Sequence, residues 1–391
     1  MDKYHRGYKS LVIIFASFFI SIALLYVYVN SLENLSPLDE AALSEGTTGV
    51  RGIVNGKQVH CANSNDAAKC LENINKEKII LWLGNSQLHS INQIMANDQP
   101  APALLHDMML NSNYYVLTFS QANANLQEHL ILLTYMVERF NINTLLLPVV
   151  FDDLRETGVR TSIMNFFNDF RVPPTSSDFV KSLISQGAKS AQFDEFTDDG
   201  SGSNSGALDL GGLDGTPQMI TEEYLSNELS KLSKIWKMQG LMRGNLLIGL
   251  YKFRNYVFGI SASTKRKIIP SRYAKNMEAL SEILLLANSN NLDTLVYIPP
   301  LRDDYERPYD DSEYELFKTE VERITKVNNI RFSDIEGLVP NEIWGMKNST
   351  TINPSNAEEL DFMHFQGGGH ELLANKIYSL IHEYEKDGNT L

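Results

Sequence analysis

The chain has 391 residues, 43% of them hydrophobic, a formal net charge of -14 at pH 7 and an isoelectric point near 5.1. It is long enough to bury a full core and too long for one minimal domain, so one large domain with appendages is expected. The acid excess excludes a general nucleic-acid binder, because neutralising phosphates requires a basic face.

The first element is apolar. Residues 11–29, LVIIFASFFISIALLYVYV, are nineteen positions without a charge. A helix rising about 1.5 Å per residue would cover roughly the hydrocarbon thickness of a bilayer with them. Lys3, Arg6 and Lys9 precede the run, and Glu33, Asp39, Glu40 and Glu45 follow it. The positive-inside rule then makes residues 1–10 a cytoplasmic tail and the rest extracytoplasmic, the topology of a single-pass inner or plasma membrane protein. A cleaved signal peptide is the alternative, but the run is longer than a usual signal core and YVNSLENLS lacks a small-x-small cleavage site. Residues 30–77 read as an extracytoplasmic linker. They hold the two cysteines, Cys61 and Cys70, in the polar stretch CANSNDAAKC, where a disulfide loop could close outside the reducing cytoplasm. Two unpaired thiols are the alternative; with only His60 nearby the pair makes a poor zinc set.

Residues 78–391 form the expected main domain. Short apolar, β-branched runs occur at 78–83, 114–119, 144–151, 292–298 and 330–332, mostly separated by helical patterns. Such alternation predicts an α/β fold with a parallel sheet covered on both faces. After the second run Leu126, Leu130, Leu133, Val137 and Phe140 keep the spacing of one apolar helical stripe. A second such pattern, HELLANKIYSLIHEY, closes the chain. Between them, residues 192–228 carry nine acidic residues and no basic one, in a Gly/Ser-rich setting. This reads as a mobile insertion rather than a calcium loop. Residues 229–277 have the opposite sign, eleven Lys or Arg and no Asp or Glu, with partly amphipathic helical character. In so acidic a chain this basic helical segment suggests contact with anionic lipid, an anionic polymer or a membrane partner; a helix packed on the domain with solvated charges is the alternative.

Chemistry enters at LWLGNSQLHS, where the first strand breaks off at Gly84, Asn85 and Ser86. In a parallel sheet, ligands gather at the carboxyl ends of the strands, where Ser86 falls. Near the far end, LDFMHFQGGGHELLANKIY places Asp361 three residues before His364, expected on a loop before the last helix. A carboxylate so near can hold an imidazole by Nδ1 and leave Nε2 free to take a serine proton. The chain order Ser, Asp, His is compatible with a triad on an α/β sheet. His89 and His370 read as supporting or surface groups.

The GNSQ block after the first strand, together with DFMHFQGGGHELLA before the last helix, resembles the SGNH hydrolase superfamily. The resemblance implies a three-layer, flavodoxin-like parallel sheet over about residues 78–385. It also implies Ser86 as nucleophile, His364 as general base and Asp361 as its orienter, with no cofactor or metal. The N-terminal span, FDDLRETGVR after the third strand and YIPPLRDDYERPYDD after the fourth resemble the membrane-anchored branch that acylates cell-surface polymers. That branch includes the alginate O-acetylation proteins and the D-alanyl-lipoteichoic-acid assembly protein. What it implies is an O-acyltransferase acting on a polysaccharide acceptor, supplied by a membrane-bound O-acyltransferase as acyl donor partner. A carbohydrate acetylesterase and a non-catalytic assembly protein are the alternatives. Two departures stand out. The second block, FSQANAN, lacks the glycine of the family, and the third, VFDDLRE, has acidic residues where an oxyanion donor is usual. Asn123 or Asn125 could supply the missing amide, unless both only cap the next helix. Asp152, Asp153, Arg155, Arg160 and Arg302 are candidates for substrate binding, the two aspartates also for orienting the arginines.

Overall fold

The computed structural model describes residues 50–54, 57–61, 78–112, 114–160, 163–164, 176–186, 252–261, 264–349, 351–352 and 358–388, with residues 17, 20, 21, 26, 27, 229, 231, 249 and 250. The chain divides into two compact units, residues 1–47 with 202–259 and residues 48–201 with 260–391. In the first unit residues 17, 20, 21, 26 and 27 are helical, as are 249, 250 and 252–258. The rest of the expected span at 11–29 lies outside the described residues. Among those described, no helix is long and apolar enough to cross a membrane.

The second unit runs β1 Val50–Val54, β2 Lys57–Cys61, β3 Lys78–Gly84, α1 Ala101–Met109, β4 Tyr114–Ser120, α2 Leu126–Arg139 and β5 Ile142–Pro148. It continues with α3 Pro270–Ser289, β6 Asp293–Ile298, α4 Asp311–Val327, β7 Arg331–Asp334, β8 Trp344–Asn348, β9 Glu358–Phe365 and α5 Gly367–Gly388. Seven strands form one sheet in the order β2-β1-β4-β3-β5-β6-β7. The pairs β4-β3, β3-β5, β5-β6 and β6-β7 are parallel. Among these five the chain starts at β3, moves to one side for β4, then crosses to the other for β5. That reversal makes the carboxyl end of β3 a topological switch point, where two outgoing loops diverge and leave a crevice.

Burial on both faces explains why β3, β4, β5 and β6 read as continuous apolar runs. In β3, Ile79, Leu81 and Leu83 join one core with α2, α3 and α4, while Ile80 and Trp82 join a second core with α1 and α5. The α2 stripe behaves as its spacing predicts: Leu126, Leu130 and Leu133 are buried in the first core, with Val137 and Phe140 packed against it. A buried indole needs a hydrogen-bond acceptor. Trp82 Nε1 finds one in Tyr297 Oη across the sheet at 2.9 Å.

Four differences from the sequence reading matter. Within 30–77, β1 and β2 form a hairpin that adds antiparallel to β4, so part of the expected linker belongs to the sheet. Cys61 ends β2, and Cys70 lies outside the described residues. The third parallel strand stops at Pro148, so Phe151 lies in the turn beyond. Asp361 and His364 lie on strand β9, paired antiparallel with β8, rather than on a loop. Finally, the basic segment is not one helix. Residues 252–258 are helical, Arg266 bridges Tyr309 in extended form, and α3 begins at Pro270. The acidic insertion at 192–228 lies outside the described residues.

Tyr297→Phe removes only the acceptor of the Trp82 indole. It should lower unfolding free energy by about 1–3 kcal/mol, the usual effect of orphaning a buried donor. Denaturant unfolding checks this, and an unchanged midpoint would contradict it.

Candidate active site

Ser86 opens a short 3-10 turn, Ser86–Leu88, directly after β3. The turn is shaped by its neighbours. A Cβ at Gly84 would overlap the Leu88 side chain, so the strand can end this tightly only on glycine. Asn85 caps the turn by accepting from the Gln87 N–H at 3.0 Å, and its amide donates to Asp153 Oδ2 at 2.8 Å. The Gln87 amide donates to Pro300 O and to Met363 O, each at 2.8 Å. The Ser86 turn is thereby tied to the chain leaving β5 and β6 and to strand β9.

The structure brings Ser86, His364 and Asp361 together. Ser86 Oγ lies 2.9 Å from His364 Nε2, and His364 Nδ1 lies 3.0 Å from Asp361 Oδ2. The other oxygen of Asp361 accepts from the N–H groups of Met363 and His364 at 2.9 and 3.1 Å. Burial alone would raise the Asp361 pKa. The charge and hydrogen bond of His364, the charge of Lys347 and the Met363 N–H outweigh it and hold the carboxyl well below the usual carboxylate range. Asp361 is therefore ionised at neutral pH. Its buried charge faces an imidazole that is 28% exposed, with Ser86 also half-buried and reachable. Such a line can lower the energy of an imidazolium formed when Nε2 takes the serine proton.

The other sequence candidates, Asn123 excepted, have partners of their own. Asn125 caps α2 in a capping box with Glu128, accepting from Gln127 N and Glu128 N while its amide donates to Gly158 O at 2.9 Å. Asn123 sits at φ 52° in the turn before α2, exposed, in the left-handed conformation that asparagine tolerates. Asp152 accepts from Arg266 and from the Tyr309 hydroxyl at 3.1 Å, with Arg155 at 3.6 Å. Asp153 is buried. Burial and the charges of Asp152 and Glu128 push its carboxyl up, against the Asn85 amide and Arg160, which favour the ionised form. Arg155 also donates to Lys267 O. Arg160 grips the buried Glu128 with two nitrogens at 2.7 Å and donates to Ala122 O, bracing the turn after β4. Arg302, buried, pairs with Asp304 and donates to Gly345 O at 3.1 Å, anchoring the β8–β9 pair.

The two other histidines of the sequence reading, His89 and His370, bond elsewhere. His89 Nδ1 bonds Ser120 Oγ at 2.8 Å. His370 is fully buried; its Nδ1 accepts from Ala101 N at 3.1 Å and its Nε2 lies 3.2 Å from Ser90 O. It staples α5 to α1 and to the segment after Ser86. Asn85 and Gln87 escaped the sequence reading. The first has a signal, a capping residue just past a strand; the contacts of the second are long-range and leave none. Val149, Phe151, Pro300, Leu301, Tyr309 and Met363 are among the residues lining a small apolar recess, which neither Ser86 nor His364 lines. Among the described residues no group of three or more His, Cys, Asp or Glu side chains could hold a metal ion.

No family model matches the chain, and no curated protein matches it significantly. Among solved structures it is similar to a GDSL-like lipase from Bacteroides thetaiotaomicron, at 11% identity and a TM-score of 0.36, over 83% of this chain and 100% of that one. It is also similar to an acetylxylan esterase from Geobacillus stearothermophilus, at 9% identity and a TM-score of 0.35, over 77% and 93% of the two chains. Overlaps this loose carry no argument of their own. The chemistry rests on the side chains around Ser86.

Two outcomes are expected here. Asn125→Asp keeps the cap but removes the amide, so it should leave ester turnover within about threefold, whereas loss of an oxyanion donor would cut it roughly 100-fold or more. Steady-state kinetics decide between them. The second concerns His370, whose pKa burial lowers to about 4. The unfolded value is about 6.5, so the folded state binds fewer protons between the two, and this stabilisation is complete above about pH 6.5 and lost as pH falls toward 4. The stability advantage of the parent chain over His370→Gln should therefore be larger at pH 7 than at pH 4 in paired urea melts. An equal advantage at both would contradict it.

Proposed function

We propose that this chain is an SGNH-type O-acyltransferase, membrane-anchored through residues 11–29 and extracytoplasmic, that passes a short acyl group, acetyl in the first instance, to hydroxyls of a surface or exported polysaccharide. The observation that carries the catalytic part is the alignment of Ser86 Oγ, His364 Nε2 and Asp361 at the switch point of the sheet. Ser86 Oγ attacks the acyl carbonyl while His364 Nε2 takes its proton. Collapse of the tetrahedral intermediate expels the donor's leaving group, which receives that proton, and leaves an ester on Ser86. An acceptor hydroxyl then attacks this ester, giving its proton to His364, and the proton returns to Ser86 as the product departs. The Ser86 N–H, first in its 3-10 turn and so without an intrahelical partner, supplies one oxyanion donor. Of the two asparagines, Asn123 is the one whose amide has no bond among the described residues.

Transfer rather than hydrolysis is favoured by the apolar span and the basic segment, which suit work at a membrane surface beside a membrane-bound O-acyltransferase that delivers the acyl group. Hydrolysis is the second reading, supported by the half-exposed Ser86 and His364, which water can reach. A purely structural assembly role would leave the aligned triad without a purpose.

The full chain should hydrolyse p-nitrophenyl acetate slowly, and a hydroxyl-bearing oligosaccharide should divert the acetyl group from water to sugar. Ser86→Ala and His364→Ala should each reduce both reactions by about 10³-fold or more, and the double variant little further, because the pair acts as one unit. Product analysis by mass spectrometry checks this. Fast hydrolysis unaffected by any acceptor would support the esterase, and undiminished turnover by Ser86→Ala would sink both readings.

A further inference from the structure

The six residues after Ser86 lead to Asn92, which is buried and lies against the far side of the histidine-bearing strand. Its N–H donates to Phe365 O at 3.0 Å. Its amide donates to Asp361 Oδ2 at 3.2 Å and reaches His364 O at 3.5 Å. One short segment thus touches β9 at both ends of the triad: Ser86 meets the imidazole, and Asn92 meets the carboxylate behind it.

Three features argue that this contact serves the carboxylate rather than packing alone. The orientation of the amide is dictated by Asp361, because the flipped carboxamide would set one oxygen against another. In the observed orientation Asn92 Oδ1 is buried with no partner among the described residues. Leucine would fill a similar volume without that orphan, so the asparagine is kept at a disadvantage to packing. Room is also made for it: a Cβ at Gly345, on β8, would overlap the Asn92 carboxamide.

We propose that Asn92 is a positioning residue of the triad, whose amide fixes Asp361 Oδ2 against His364 Nδ1 and moderates the hold of that carboxylate on the imidazolium. The inference rests on the reading of Ser86, His364 and Asp361 given above. The donors to Oδ2 are then His364 and Asn92, and those to Oδ1 the N–H groups of Met363 and His364. The charged groups around them are Lys347 on β8, itself 3.5 Å from Glu359, and Arg302, whose guanidinium is 3.5 Å from Asp361 O and is paired with Asp304. None of these charged side chains donates to Oδ2, so Asn92 has no substitute there.

The test uses the full chain, p-nitrophenyl acetate and three variants: Asn92→Leu, Asn92→Asp and Ser86→Ala. Asn92→Leu should lower kcat about tenfold or more with KM within about twofold, as for a slightly misplaced catalytic group. Without the amide, Asp361 holds the imidazolium more strongly, so the acid limb of the pH profile should move to higher pH. Asn92→Asp supplies a donor only while the introduced carboxyl is protonated. Its activity relative to the parent should be greatest at low pH and fall as that carboxyl ionises, within one folded protein, which keeps the test valid if Asn92→Leu does not fold. Parent-like kcat and parent-like pH profiles in the Asn92 variants, with Ser86→Ala inactive, would overturn the assignment of Asn92 alone. Ser86→Ala as active as the parent would instead overturn the triad reading on which it rests.

Discussion

A carboxylate withdrawn from water must be surrounded by donors, and Asp361 organises its surroundings accordingly. It is 4% exposed, yet both oxygens are met: one by two N–H groups of its own strand, the other by the His364 ring and the Asn92 amide. Removing such a charge from solvent is unfavourable by several kcal/mol unless these contacts are all in place. The local fold follows from that requirement. A strand rather than a loop carries the pair, β8 braces the strand, and Arg302 ties Gly345 of β8 to the chain leaving β6. A well-held anion is also what a transient imidazolium needs.

The sheet contributes the second half of the site. The crossing of the chain from β4 to β5 leaves the end of β3 open, and the turn at Gly84, Asn85 and Ser86 uses the space for a half-buried, reachable hydroxyl on a rigid base. Asn85 and Gln87 then fasten that turn to Asp153 and Pro300, in the connections after β5 and β6, and to Met363 on β9. Side chains on either side of the nucleophile are therefore locked while Ser86 itself stays accessible. Asp152 and Asp153, which would oppose a developing oxyanion if free, are instead drawn into contacts with Arg266, Tyr309 and Asn85.

What the sequence disclosed follows from the range of the forces involved. The four central parallel strands and the α2 stripe were legible because burial on both faces writes itself as unbroken apolar runs, and burial on one face as a 3.6-residue period. Ser86 was legible from its place at a strand end, and Asp361 with His364 from their spacing. The β1–β2 hairpin was not, since VRGIV and KQVHC form no sustained apolar run. Nor was β8, a short strand containing Gly345 and Lys347 whose pairing to β9 is set by Arg302 and Asn92 from elsewhere in the chain. The roles of Asn125 and Arg160 turned on partners far away in sequence, Gly158 for one and Ala122 and Glu128 for the other, and residue type alone does not distinguish a cap or a clamp from a ligand contact.

The central claim is that Ser86 is a nucleophile activated by His364. Incubation of the full chain with a fluorophosphonate, followed by peptide mass spectrometry, tests it without reference to any natural substrate. The account predicts one phosphonyl group per chain, on Ser86, with labelling slowed by orders of magnitude in His364→Ala while the fold is retained. Labelling elsewhere, or labelling of Ser86 at the same rate in His364→Ala, would contradict it.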